Sequence, residues 1–310
     1  MSSQNLPPKK IIHLSDLHAG AGEEEGKPCG NNRSCKDNLS VIMEDIIRTY
    51  GESSREYVIV ITGDLVDNAK RDPEYAQAKE ELAKLKNAGF DMLIIPGNHD
   101  YGSGAKLKRK FVNMFKNAIY NSLTGISHVM NPPTNPELIV YPKLDIIPQP
   151  GTPEAANFAP IAFIGLDSNE GELNFFEAWG ANGELGDRQR DLLKKMLKSP
   201  EVQACPFKVV YLHHHPFEKE KSNVKPWHSL DDATDLVKLL NKLPVDMVLF
   251  GHNHGGEDET LQPGTQLPRI RNVKRIYDGG SSTGKRGGHS PLRVIDLSQP
   301  KMGDEVVKTF

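Results

Sequence analysis

Six short apolar runs punctuate the chain: KIIHLS (10–15), YVIVIT (57–62), DMLIIP (91–96), IAFIGL (161–166), FKVVYL (207–212) and DMVLFG (246–251). Several are nearly continuous rather than alternating, as in strands buried on both faces of a largely parallel sheet. Between them, apolar residues recur at three- and four-residue steps in LSVIMEDIIRTY (39–50), YAQAKEELAKLKNAG (75–89), RQRDLLKKMLKS (188–199) and DDATDLVKLLNKL (231–243). That period predicts helices with one buried face. Gly89 is suited to end the second of them. Strand alternating with helix is the pattern of an α/β fold.

Two stretches break the alternation. Residues 101–160 contain the basic amphipathic segment KLKRKFVNMFKNAIYNSL and then a run with Pro132, Pro133 and Pro136; residues 255–293 are rich in Gly, Pro and Arg. Neither is simple enough in composition for a disordered linker. Both are read as excursions, at about 101–160 and 255–293, from a single domain spanning 1–310, and as the segments that shape its substrate pocket.

At 310 residues the chain can bury a substantial core. Lys plus Arg is 38 against 41 for Asp plus Glu, a net charge of -3. That balance gives no general drive onto nucleic acid or anionic lipid. No apolar run approaches the roughly 18 residues of a membrane helix, and MSSQNLPPKK has no apolar core of a secretory signal. A cytoplasmic location is the expectation. The three cysteines agree with a reducing compartment. Cys29 and Cys35 flank GNNRS closely enough to bridge or bind a metal, but two unpaired loop thiols are the favoured reading.

The chemistry lies just after the strands. The runs end in Asp16-Leu17-His18, in Gly63-Asp64-Leu65-Val66-Asp67, in Gly97-Asn98-His99-Asp100, in His213-His214-His215-Pro216 and in Gly251-His252-Asn253-His254. Ligands of open α/β sheets bind at the carboxyl ends of strands, so five strands deliver Asp, Asn and His to one edge. Imidazole and carboxylate donors suit Zn, Mn or Fe. No cysteine joins them, which excludes a structural thiolate zinc site. The donors outnumber the needs of one ion and point to two ions sharing a carboxylate, an arrangement suited to in-line displacement at phosphorus. A water between two such cations loses a proton near neutral pH and attacks phosphorus as a bridging hydroxide.

The ordered set D-x-H, G-D-x-x-D, G-N-H-D, H-H-P and G-H-x-H resembles the calcineurin-like metallophosphoesterase family. The resemblance runs from Asp16 to His254. It implies an α/β fold of two packed mixed β-sheets flanked by helices. It implies two divalent or mixed-valence ions (Mn, Fe or Zn), one held by Asp16, His18, Asp64 and His254. The other would be held by Asp64, Asn98, His214 and His252, with Asp64 bridging. His214 is selected over its neighbours because the family ligand lies two residues before the proline; His213 is then a strand residue, and His215 is a candidate for the pocket lining. His99 would face the substrate phosphoryl group and serve the leaving oxygen. Its ring needs an orienting carboxylate, for which Asp67 is the family-supported candidate and Asp100 the neighbour in sequence.

Gly279-Gly280-Ser281-Ser282-Thr283-Gly284-Lys285 nearly spells a phosphate-binding loop, but Arg286 stands where the magnesium-binding hydroxyl belongs. The following GGHSPLRVIDL reads as a strand. A turn near the pocket is the reading preferred here, with Lys285, Arg286 and His289 as candidate contacts to an anionic substrate. Within the family, GDLVDNA and GNHD depart from the protein Ser/Thr phosphatases, and Asp67 stands where purple acid phosphatases carry a tyrosine. Residues 161–197 resemble the branch of cyclic-nucleotide and glycerophosphodiester phosphodiesterases. The expectation is therefore a phosphodiesterase acting on a small phosphate ester such as a cyclic nucleotide. The alternatives are a nucleotide-diphosphate pyrophosphatase, a broad phosphomonoesterase, or a catalytically silent scaffold.

Overall fold

The structure is a computed structural model and describes residues 6–21, 29, 34–102, 112, 114–116, 119, 123, 141–169, 182–216, 230–254, 272–284, 291–299 and 305–308. Ten strands are present among them: β1 (Lys10–Leu14), β2 (Tyr57–Ile61), β3 (Asp91–Ile94), β4 (Lys143–Ile147), β5 (Ile161–Gly165), β6 (Phe207–Tyr211), β7 (Met247–Phe250), β8 (Arg275–Asp278), β9 (Pro291–Ile295) and β10 (Glu305–Lys308). They form two five-stranded sheets, β10-β9-β1-β2-β3 and β4-β5-β6-β7-β8. β1, β2 and β3 run parallel, as do β5 to β8; β4, β9 and β10 pair antiparallel. The largely parallel sheet read from the apolar runs is thus two mixed sheets, in the α/β sandwich that the resemblance implied. The strands that the runs did not reveal, β4 (KLDII), β8 (RIYD) and β10 (EVVK), carry charged residues that interrupt the apolar signal. β4 and β8 lie in the two stretches read as excursions, and β9 follows where GGHSPLRVIDL reads as a strand.

Three apolar layers explain why the central strands are so uniformly hydrophobic. Ile11, Val58, Val60, Phe163, Val209 and Leu249 fill the space between the sheets. Ile12, Leu14, Ile59 and Ile61 face the helices Cys35–Tyr50 and Asp72–Asn87. Ile164, Val210, Val248 and Phe250 face the helices Gly186–Lys198 and Ala233–Leu240 on the other side. Successive residues of a strand point to opposite faces, so a strand covered on both faces loses its polar alternation. The first helix buries Leu39, Ile42, Met43 and Ile46 and is capped by Ser34, whose side chain accepts from Asp37 N at 3.1 Å. In the basic stretch 106–123, Phe115, Ile119 and Leu123 are buried in the same outer layer, with Val112 packed against it. Among the described residues no helix is long and apolar enough to cross a membrane.

Cys29 and Cys35 form a disulfide with a Cα–Cα distance of 5.3 Å. This corrects the reading of two unpaired loop thiols. Cys35 opens the first helix, is fully buried, and packs with Cys29 and Ala21, so the two sulfurs share one apolar niche. Disulfides persist in oxidising surroundings, so cysteine usage no longer supports a reducing compartment. Cys205 is free and buried. Thiol titration of the denatured protein should find one thiol per chain before reduction, and three afterwards. Three before reduction would contradict the pairing.

His13, in β1, is fully buried, and its Nε2 lies 3.0 Å from Thr62 Oγ1. Burial, with Arg293 nearby, lowers its pKa to about 3. The unfolded chain therefore binds a proton at this position between about pH 6.5 and 3 that the folded chain refuses. Stability supplied by the neutral ring is complete at pH 7 and declines as the pH falls through that window. Between pH 7 and pH 5 the loss through His13 is about 2 kcal/mol. His13→Gln should remove that part of the slope in urea unfolding curves measured at the two pH values; an unchanged slope would refute it.

Candidate metal centre

The parallel strands of both sheets end at one edge, and the residues that follow them turn inward there. Among the described residues, the non-glycine positions with positive φ are Asp16 (51°), His18 (45°), Asp64 (53°), His252 (79°) and His254 (58°). All five are expected ligands. Each left-handed residue costs about 1–3 kcal/mol and persists only where its surroundings enforce it. The alternation in Asp16-Leu17-His18 sends both polar side chains toward the cluster, while Leu17 is fully buried in the outer core. His252-Asn253-His254 repeats the device on the other sheet. Close approach of the loops requires glycine: a Cβ on Gly97 would strike the Asp64 carboxylate, and one on Gly251 would strike Ser15 Oγ and Asp16 Oδ2.

Three groups of donor atoms result among the described residues, one of them, His18, Asp67 and His99, overlapping the first of the two that hold the expected ligands. In the first, Asp16, His18, Asp64 and His254 each aim one atom at a common point. His18 Nε2 is 3.0 Å from His254 Nε2, and His254 Nε2 is 3.2 Å from Asp16 Oδ1. In the second, His213, His214 and His252 converge. His213 Nε2 lies 3.1 Å from both Asn98 Oδ1 and His252 Nδ1. Asp64 Oδ2 stands between the groups, 3.7 Å from His18 Nε2 and 3.4 Å from His213 Nε2.

A model of the calcineurin-like phosphoesterases matches residues 9–256. The chain belongs to the calcineurin-like phosphoesterase family. Its fold is similar to that of a dimetal phosphatase from Danio rerio, with 11% identity over 98% of this chain and 100% of that one and a TM-score of 0.56. It is also similar to TT1561 of Thermus thermophilus (15% identity, 98% and 100% covered, TM-score 0.53). A 5'-nucleotidase from Candida albicans aligns at 11% identity over 99% of this chain and 52% of that one, with a TM-score of 0.52. At these identities the likeness is one of fold. Among curated proteins no sequence matches significantly.

The family uses a binuclear metal centre, and the donor geometry of this chain fits one. With metal–nitrogen distances of about 2.0–2.1 Å, neighbouring ligand atoms on one ion sit roughly 3.0–3.4 Å apart; His254 Nε2 with His18 and Asp16, and His213 Nε2 with Asn98, His252 and Asp64, already stand at that spacing, while His18 lies slightly farther, 3.7–3.8 Å, from Asp64 and Asp16. Asp16 Oδ2 accepts from Ser15 Oγ at 2.6 Å and from His252 N at 2.9 Å. Its Oδ1, shielded from solvent, receives no hydrogen bond. A buried carboxylate oxygen left bare beside imidazole lone pairs is an arrangement that a cation satisfies.

The outer contacts set the orientation of the rings. His213 Nδ1 lies 2.7 Å from Thr62 O, so Nδ1 carries a proton and Nε2 is the atom turned to the cluster. His214 Nδ1 lies 2.7 Å from Ser168 Oγ. Burial opposes ionisation of Asp16 and Asp64. His18 and His254 beside Asp16, and His213 and His99 beside Asp64, outweigh it and hold both carboxyls well below the usual range. Burial lowers the His213 pKa while Asp64 and Asp16 raise it, with a net rise to about 10. A metal ion bound there displaces that proton. Burial, then His214 and His213, depress His252.

The structure brings most of the expected residues together at one edge. His213 lies beyond the end of β6, and its Nε2 touches Asp64, Asn98 and His252; the reading of it as a strand residue misses a donor. His214 stays in the second group as expected. His215 is fully buried edge-on to Phe250, 4.7 Å between ring centroids. His99 Nδ1 is 2.6 Å from the main-chain oxygen of Asp67, while the Asp67 carboxylate is 3.5 Å from His18 Nδ1. The Asp67 main-chain oxygen is thus within hydrogen-bond reach of the His99 ring, and the Asp67 carboxylate lies in one cluster with His18 and His99. Asp100 accepts from Gly97 N, Leu65 N and Val66 N and clamps two loops together; burial and Asp64 push its pKa up to about 8. Lys285, Arg286 and His289 lie outside the described residues. Ser15 and Ser168 were not singled out from the sequence, and Ser281 and Thr283 entered only as part of the segment resembling a phosphate-binding loop.

His213→Ala should lower the bound metal count of the purified protein more than His214→Ala does, as read by elemental analysis. Equal or reversed losses would return the ligand role to His214 alone.

Proposed function

We propose that the protein hydrolyses phosphate esters at a two-metal centre held by Asp16, His18, Asp64, Asn98, His213, His252 and His254, with His214 beside the second ion. The observation that carries this reading is Asp64 Oδ2, which stands within 3.7 Å of the first group of donors and 3.4 Å of the second. When bound, the two ions supply Lewis-acid charge for the phosphoryl oxygens and lower the pKa of the attacking water. Imidazole and carboxylate donors of this kind take Mn, Fe or Zn.

The chain's own groups do the rest. Asp64 Oδ1 accepts from His99 N at 2.9 Å, which ties the bridging carboxylate to the loop that carries His99. His99 lies against His18 with ring centroids 4.8 Å apart. Its Nδ1–H donates to Asp67 O, so Nε2 is the atom left to serve the substrate. In the neutral ring that atom accepts; only the doubly protonated ring donates to a leaving oxygen. The finer reading is a phosphodiesterase acting on a small diester such as a cyclic nucleotide, supported by the resemblance of residues 161–197 to that branch.

The test is metal reconstitution of the stripped protein with Mn, Zn or Fe. Bis-p-nitrophenyl phosphate and p-nitrophenyl phosphate are then assayed side by side. Turnover should require metal, vanish in Asp64→Ala, and fall by about 10²–10⁴-fold in His99→Ala with both ions retained. Preference for the monoester would replace the diester reading with a phosphatase. Two bound ions with no turnover of either substrate would favour a pyrophosphatase or a silent scaffold.

A further inference from the structure

The stretch Gly279–Gly284, which resembles a phosphate-binding loop in sequence, does something else with its hydroxyls. Ser281, Ser282 and Thr283 are all buried. A phosphate loop directs its amides and hydroxyls into an open site. Here they are spent on the neighbouring backbone. Ser281 Oγ donates to Asp16 O at 2.9 Å, and Thr283 Oγ1 donates to Leu17 O at 2.9 Å. Ser282 N donates to Ser15 O at 2.9 Å, and Ser282 Oγ accepts from Ser15 N at 3.0 Å. Thr283 O in turn accepts from Asn38 Nδ2 of the first helix at 2.9 Å. The approach is close enough that a Cβ on Gly279 would meet Ser15 Cβ at 2.7 Å and His13 Nε2 at 3.0 Å.

The turn so gripped carries two of the left-handed expected ligands, Asp16 and His18. Its amides are satisfied from one side, Asp16 N by Gly63 O at 3.0 Å and His18 N by Asp64 O at 2.9 Å. Its carbonyls, at Asp16 and Leu17, are satisfied from the other side by the two hydroxyls. A buried carbonyl without a partner would be free to regain one by relaxing the turn, and relaxation would swing Asp16 and His18 away from His254.

We propose that Ser281 and Thr283 are positioning residues for the metal centre. Their hydroxyls lock the Asp16-Leu17-His18 turn in its ligand-presenting conformation and so set the affinity of the ion held by Asp16, His18, Asp64 and His254. This rests on the two-metal reading. The role falls mainly on one of the two ions, because the second group of donors, His213, His214, His252 and Asn98, comes from other loops and meets this turn only through His252 N on Asp16 Oδ2 and through the shared Asp64.

The experiment is a calorimetric Mn²⁺ titration of the full-length, metal-stripped protein, with bound metal counted separately and thermal unfolding recorded for each variant. The wild type should bind two ions. Thr283→Val and Ser281→Ala should each weaken one binding event by about 10–100-fold, the scale found when an outer partner of a metal ligand is lost, and leave the other unchanged. Thr283→Ser, which keeps the hydroxyl, should behave as wild type. Unchanged binding in Thr283→Val and Ser281→Ala overturns the proposal. So does equal weakening of both events, which marks general loosening, or a Thr283→Ser variant as weak as Thr283→Val, which marks lost packing. If Ser281→Ala does not fold, the Thr283 pair decides. A wild type that takes fewer than two ions overturns the two-metal reading itself.

Discussion

The whole carboxyl edge of the sandwich depends on a backbone conformation that side-chain-bearing residues avoid. Asp16, His18, Asp64, His252 and His254 are all left-handed, at about 1–3 kcal/mol apiece. Nothing local to a D-x-H or H-x-H sequence would hold that geometry in a free peptide. It survives because each turn is hydrogen-bonded from outside. His252 N reaches Asp16 Oδ2, Ser281 and Thr283 reach the carbonyls of the first turn, and Asp100 draws in the amides of Leu65, Val66 and Gly97. The strain and the bracing together keep lone pairs about 3 Å apart without a proton for each, a spacing that cations relieve.

Such bracing needs a rigid frame. Two sheets packed through Ile11, Val58, Phe163 and Val209, and covered on their outer faces by helices, leave the central strands no freedom to slide. Parallel order within each sheet brings successive strand ends to the same edge. Contacts across the two sheets close the centre: His213, after β6, rests on Thr62, after β2, and His252, after β7, rests on Asp16, after β1. The distance between the two ligand groups is therefore a property of sheet-to-sheet packing.

Much of this was legible in the chain. The six apolar runs named β1, β2, β3, β5, β6 and β7 nearly to the residue, since burial on both faces writes itself as unbroken hydrophobicity. β4, β8 and β10 escaped because charged residues cut each into stretches of only one or two apolar residues. The donors at Asp16, His18, Asp64, Asn98, His252 and His254 stood out because Asp, Asn and His recur directly after strands. His213 did not. In a run of three histidines, which ring faces the site depends on how the chain leaves the strand; the proline rule selected His214, and the fold brings His213 beside it. Asp67 was picked out for its carboxylate, yet it is its carbonyl that meets His99. A sequence names side chains and is silent about which backbone atom will be turned toward a ring. The Cys29–Cys35 bridge was likewise open on spacing alone, because pairing depends on whether two Cα atoms are brought within reach.

By itself the sequence determined the class of fold, the family, and the kinds of atoms gathered at one edge, for these follow from periodicity and residue type, which are local and additive along the chain. Tertiary structure decided which nitrogen faces the centre, that a loop resembling a phosphate cradle braces a ligand turn, and that two cysteines meet. Each of those is a contact between segments far apart in sequence, set by the packing of two sheets and by hydrogen bonds of about 3 Å, whose geometry no single segment encodes.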